Sequence, residues 1–171
     1  AVESFDKLLL PLELQREVVM PLVGLPCASA HLSLRKQAAS LQTVRSIGLV
    51  KDGILYCSSI FGNRDIPIHQ LQPALPSTKP VMVLSTDHSL LKNSPVMIMW
   101  YPTSADGQSG ITEVVNIDLL SNLMLEPDEP LITSASLSVE NRHLVYGHGV
   151  SNSLPALNNE DRFQLASGHF P

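Results

Sequence analysis

Three observations on this 171-residue chain predict an α+β fold, with N-terminal helices followed by one central, mainly antiparallel sheet. Apolar residues first recur at spacings of three, four and seven, the period of a helix stripe. From Val44 onward the period changes to two. The apolar runs are then short and separated by turn residues, in a chain holding 13 prolines and 9 glycines. Helices before strands, without regular alternation, fit an α+β layer arrangement rather than a parallel α/β one.

The first helix rests on Val2, Phe5, Leu8, Leu9, Leu12, Val19, Leu22 and Val23, which fall on one stripe. Pro11 and Pro21 interrupt it, so a kink or break is expected at each. A second helix is expected over residues 29–41, with Ser29 as N-cap and Leu32, Arg35, Ala38 and Leu41 at helical spacing. Cys27 would then lie in the joint between the helices, fixed by Pro26. Residues 45–50 and 54–58, joined by Lys51-Asp52-Gly53, read as a hairpin, because Asp-Gly supplies the positive φ angles a tight turn needs. Strict alternation would put Leu55, Cys57 and Ser59 on one face of the second strand, and Ile54, Tyr56 and Ser58 on the other.

Residues 62–80, rich in Pro, Asn and Gln, read as a long excursion. Strands are expected at 81–85, 96–101, 111–117, 131–137 and 143–147, with a short helix at 118–125. The chain is read as a single domain over 1–171: a helical region 1–42, a sheet region 43–150 and an irregular tail 151–171. Cutting at 62–80 would leave a first half with two strands, too few for an independent sheet.

Composition bounds the function. With 44% hydrophobic and 16% charged residues the chain is globular. A net charge of −5 without a basic cluster argues against nucleic acid or an anionic membrane surface as partner. The uncharged stretch 18–30 is too short to span a bilayer and contains Pro21 and Pro26. No transmembrane or signal segment is read. The start Ala1-Val2-Glu3 leads us to expect a processed protein or a domain of a longer one, with anchors outside it.

The chemistry-bearing residues are few. Cys27 and Cys57 are the only cysteines, and they form a bridge, a redox pair or two unrelated thiols. Their spacing matches neither a Cys-x-x-Cys redox centre nor a structural zinc site. A bridge would close a loop of about 30 residues and stabilise by roughly 3 to 4 kcal/mol in the chain-entropy picture. Ser58 and Ser59 follow a strand, where hydroxyls bond nearby backbone and shape the exit. Gly107-Gln108-Ser109-Gly110 lacks the spacing of a nucleophile elbow, and Gly147-x-Gly149 lacks the third glycine of a phosphate loop. His143 and His148 with the two cysteines are unlike any finger spacing, and His31, His69, His88 and His169 are read as solvated. Arg45 is a candidate for an ion pair or for anchoring the adjoining helix, and Trp100 and Tyr101 for core and edge packing. Catalytic residues, metal and cofactor are not expected.

The string Arg45-Ser46-Ile47-Gly48-Leu49-Val50, then Gly53, Tyr56-Cys57-Ser58-Ser59 and Gly62, preceded by Pro26-Cys27, resembles the CSS-motif sensor domain. That family is the periplasmic input region of bacterial inner-membrane proteins whose cytoplasmic part is an EAL-type cyclic di-GMP phosphodiesterase. The resemblance implies that Cys27 and Cys57 form a disulfide under a periplasmic thiol oxidase and reductase system. Cys57, Ser58 and Ser59 are then the motif, supported by Arg45, Gly53 and Gly62. It further implies that the oxidised form holds the EAL domain of the same polypeptide low and the reduced form activates it. It allows a homodimer, and it places catalysis outside this chain. In layout the chain is also similar to extracytoplasmic PAS-like folds called Cache domains, which keeps open a small-molecule sensor with a purely structural disulfide. A secreted interaction or inhibitor domain is the third alternative.

Overall fold

The structure is a computed structural model that describes residues 2–88, 91–117, 134–139 and 142–147. The helix expected at 118–125, His148, His169 and the tail from 151 lie outside the described residues.

Helix α1 (Val2–Val19) runs through Pro11, so the helix does not break there. Proline inside a helix forfeits one backbone bond and costs about 3 kcal/mol, which the burial of Leu12 and Val19 offsets. Pro21 behaves as expected: it sits in a 3-10 turn, Met20–Leu22, where the helix ends. Helix α2 (Cys27–Ser40) begins two residues before Ser29, so its N-cap is Pro26 and Cys27 is its first residue. The carbonyl of Pro26 accepts from the N–H groups of Ser29 and Ala30 at 2.9 and 3.1 Å. Its buried residues are Cys27, Ala30 and Leu34, while Leu32 is 64% exposed. Leu32 and Leu34 are two apart and cannot share a helix face. The sheet takes the stripe containing Cys27.

The strands are β1 (Val44–Lys51), β2 (Ile54–Ser58), β3 (Gly62–Pro67), β4 (Val81–His88), β5 (Leu91–Pro102) and β6 (Gly110–Asn116). They form one antiparallel sheet in the order β3-β2-β1-β6-β5-β4. β7 (Ser134–Val139) and β8 (Arg142–Gly147) pair as a separate ribbon. The turn between β1 and β2 has Asp52 and Gly53 at φ 51° and 76°, the left-handed pair that Asp-Gly supplies. The expected excursion from 62 is instead strand β3 followed by α3 (Ile68–Leu71), and only 72–80 is irregular. β3 lies at the sheet edge with a polar sequence, so it carries no apolar alternation by which to be read.

The sheet separates two cores. Leu12, Val19, Leu34, Ile47, Leu49 and Met97 are among those packed between the sheet and α1 and α2. On the opposite face Val50, Leu55, Ile68, Leu75, Ile98 and Trp100 pack under α3 and the loop 72–80. Trp100 is fully buried, and its indole N–H donates to the Ser77 carbonyl at 2.8 Å.

Candidate functional site: the Cys27–Cys57 joint

A one-residue irregularity in β2 builds the site. Leu49 of β1 lies opposite Cys57 and Val50 opposite Leu55, so Tyr56 is an extra residue with no partner. Such a bulge re-aims the side chains that follow it. Leu55 consequently belongs to the core under α3 and Cys57 to the core under the helices, whereas alternation had placed both on one face. Tyr56 packs against the helix-side core as well. Two consecutive residues thus point at the start of α2.

There Cys57 is bonded to Cys27, with an S–S distance of 2.02 Å and Cα atoms 5.2 Å apart. The bond joins the first residue of α2 to the bulge of β2. Both residues are buried, Cys27 at 5% exposure and Cys57 at 0%. Thiol exchange needs access to a sulfur, so a reductant reaches this bond only after the joint opens locally.

Tyr56 holds the same joint without a covalent bond. Its hydroxyl accepts from the Gly24 N–H and donates to the Leu25 carbonyl, both at 2.9 Å. Burial raises the Tyr56 pKa and the Gly24 N–H partly offsets this, so the phenol stays a neutral donor at neutral pH. Gly24 has φ 93°, the left-handed region that closes the turn. Tyr56 stands within the motif string, yet its task has no sign in the sequence, because a bulge leaves no mark on period-two alternation.

The motif serines are bonded to backbone. The Ser58 hydroxyl accepts from Ile60 and Phe61 N–H at 3.3 and 3.4 Å, shaping the exit of β2. The Ser59 hydroxyl accepts from Ile47 N–H, and the Ser59 N–H donates to the Ile47 carbonyl, each at 2.9 Å, prolonging the ladder past the strand end. Gly62 has φ 69° and lies against His31, whose ring is half-buried rather than solvated as expected. His69 is exposed. Gly53 donates to the Gln108 carbonyl at 2.7 Å and accepts from Ile68 N–H at 2.9 Å, tying the hairpin turn to α3. Arg45 is exposed at an irregularity in β1, away from the joint. Among the described residues no cluster of His, Cys, Asp or Glu could hold a metal ion, and no helix is long and apolar enough to cross a membrane.

Sequence reading missed Glu113, which lies in β6 between Ile47 and Met99 and is fully buried beneath α1. Neither carboxylate oxygen has a hydrogen-bond partner. Burial pushes its pKa up to about 7, against the pull of Arg16. Arg16 in turn lies 3.8 Å over the Tyr101 ring. The signal was present as a lone carboxylate amid Ile111, Val114 and Val115.

The opposite face holds a cavity of about 130 Å³ between β1, β2, β6 and the α3 segment.

The family described as "CSS motif domain associated with EAL" matches residues 1–171. The chain is 53% identical over all of its 171 residues to the probable cyclic di-GMP phosphodiesterase PdeD of Escherichia coli K12, and spans 32% of that protein's length. It is 31% identical to the probable cyclic di-GMP phosphodiesterase PdeN of the same organism over 127 residues, 74% of this chain and 24% of that protein. Among solved structures, the ligand-binding domain of the Campylobacter jejuni chemoreceptor Tlp3 in complex with 4-methylisoleucine shows a TM-score of 0.41 at 13% identity. That overlap covers 84% of this chain and 82% of the other, and is too distant to bear on fold or ligand. The chain belongs to the CSS-motif family, and the EAL domain associated with that family lies outside its 171 residues.

Proposed function

We propose, from its membership of the CSS-motif family, that this chain is the periplasmic redox sensor of an inner-membrane cyclic di-GMP phosphodiesterase. Its Cys27–Cys57 bond sets the activity of a cytoplasmic EAL domain on the same polypeptide. The observation that carries this reading is the placement of the bond, between the first residue of α2 and the bulge of β2. Closed, it fixes the joint between α1 and α2 to the sheet; open, it leaves that joint to the Tyr56 hydrogen bonds.

The bond is cleaved by thiol exchange once local opening exposes a sulfur. A reductant thiolate attacks one sulfur, forms a mixed disulfide and releases the other cysteine as a thiolate. A second thiol of the reductant then displaces the protein sulfur, leaving two protein thiols and one oxidised reductant. Two electrons enter the domain. The released joint lets α1 and α2 shift against the sheet, a displacement of packed helices of the kind that carries signals. The oxidised state corresponds to low phosphodiesterase output and the reduced state to high output. The hairpin after an N-terminal helix supports a PAS-like assignment of the fold under the same proposal.

In the full-length protein, Cys27→Ala and Cys57→Ala should each raise cyclic di-GMP hydrolysis above the oxidised parent, and the double variant should match either single. That equality follows from one shared bond. Divergent singles, or singles without effect on output, would count against the redox reading and leave the bond a structural one.

A further inference from the structure

The bridge does not use the cavity on the opposite face of the sheet. Leu55, Ile66, Ile98 and Val114 contribute its apolar wall. The hydroxyl-bearing Ser46 and Thr112 line it from neighbouring strands, Ser46 standing opposite Val114 and Thr112 opposite Gly48. Phe61 and Leu71 also line it, yet are 46% and 43% exposed, so they mark its mouth. There the Arg64 guanidinium lies 4.5 Å over the Phe61 ring.

An apolar chamber with a few polar groups at particular points has the make-up of a small-molecule site. Size narrows the occupant: an apolar cavity of about 150 Å³ holds benzene, so about 130 Å³ takes a single ring or a short branched chain. Charge narrows it further. Arg64 is the one cationic residue on the lining, and its recorded hydrogen bond, to the Asn63 carbonyl at 3.3 Å, uses one of five guanidinium donors. The planar fork that remains suits a carboxylate.

We propose that this cavity binds a small organic acid, its ring or branched apolar body between the sheet and α3 and its carboxylate at Arg64. The site stands independently of the redox reading. An occupant would brace β1 and β2 from the side opposite the bridge.

The test uses the 171-residue protein with its bridge closed, and benzoate, isovalerate and the neutral benzyl alcohol as probes. Benzoate or isovalerate should raise the melting temperature saturably and shift the methyl resonances of Ile66, Ile98 and Val114. Arg64→Gln, at an exposed position, should weaken binding of the acid at least tenfold and leave benzyl alcohol unaffected. Ser46→Leu, which fills the chamber, should abolish binding of all three; if that variant does not fold, the Arg64 comparison decides. Absence of saturable shifts with both acids would overturn the site. Benzyl alcohol binding as well as benzoate, with Arg64→Gln unchanged, would overturn the carboxylate assignment.

Discussion

On the helix-bearing face of the sheet, α2 is tied to β2 by a covalent bond and the preceding turn by the Tyr56 hydroxyl. On the other face the cover is a four-residue helix and the loop 72–80, held by packing of Ile68 and Leu75 and by hydrogen bonds from the Trp100 indole to Ser77 and from the Ile68 N–H to Gly53. The first arrangement puts two breakable links, one disulfide and one hydroxyl, at a single joint between the helices and the sheet. The second distributes its hold over apolar packing, which cannot be released at a point but can be filled. A bond-held face suits a switch, and a packing-held face with a cavity suits occupancy.

The strongest way to break this contrast is at Trp100. Trp100→Ala should cost roughly 3 to 5 kcal/mol, because it empties the far-face core and removes the anchor of the 72–80 loop. Denaturant melts would measure the loss, and a non-reduced peptide digest should still show Cys27 linked to Cys57. A bond lost together with Trp100 would mean that the two faces fold as one unit.

Reducing the bridge should lower stability by roughly 2 to 4 kcal/mol while leaving the six-stranded sheet folded. Melts with and without reductant, read by far-ultraviolet circular dichroism, test both halves of that statement. Complete unfolding would make the bond a staple, and an unchanged midpoint would mean that the loop it closes is constrained by packing alone.

Glu113 sharpens the helix-bearing face through pH. Its folded pKa of about 7 lies above the ordinary carboxylate value of 4.5, so the folded state holds the proton more tightly than the unfolded one. The stabilisation is therefore complete below about pH 4.5 and is lost as pH rises through about 7. Its full extent is on the order of 3 kcal/mol. Melts across that window should show the decline, and Glu113→Gln should flatten it; a slope unchanged in the variant would assign the effect to another group.

Tyr56→Phe is the smallest change. It keeps the ring and loses the hydroxyl that bonds Gly24 and Leu25, for about 1 kcal/mol. Because the sulfurs are buried, reduction passes through an opened joint, and the same loss should speed reduction about fivefold at fixed dithiothreitol. An unchanged rate would show that the joint opens elsewhere.

Local chemistry made much of this protein legible from its residues. Asp52-Gly53 specified the hairpin turn, short apolar runs marked β1, β5 and β6, and the string around Cys57 led to the family that the comparison shows. What depends on a neighbour chosen at long range was decided only in the tertiary structure. Alternation in β2 could not reveal the bulge at Tyr56, because the extra residue is defined by the register of β1 rather than by β2 itself. The stripe of α2 was ambiguous between Leu32 and Leu34 until the sheet buried one of them. Pro11 reads as a helix break in isolation, yet packing of the helix around it outweighs one lost hydrogen bond. Edge strand β3 carries no apolar pattern because Asn63, Arg64 and Asp65 are exposed rather than packed in either core, and the burial of Glu113 depends on α1, whose Arg16 acts on it from across the chain. Periodicity reports which residues can face a core, whereas register and burial are set by the element that supplies that core, and this partner is distant in the chain.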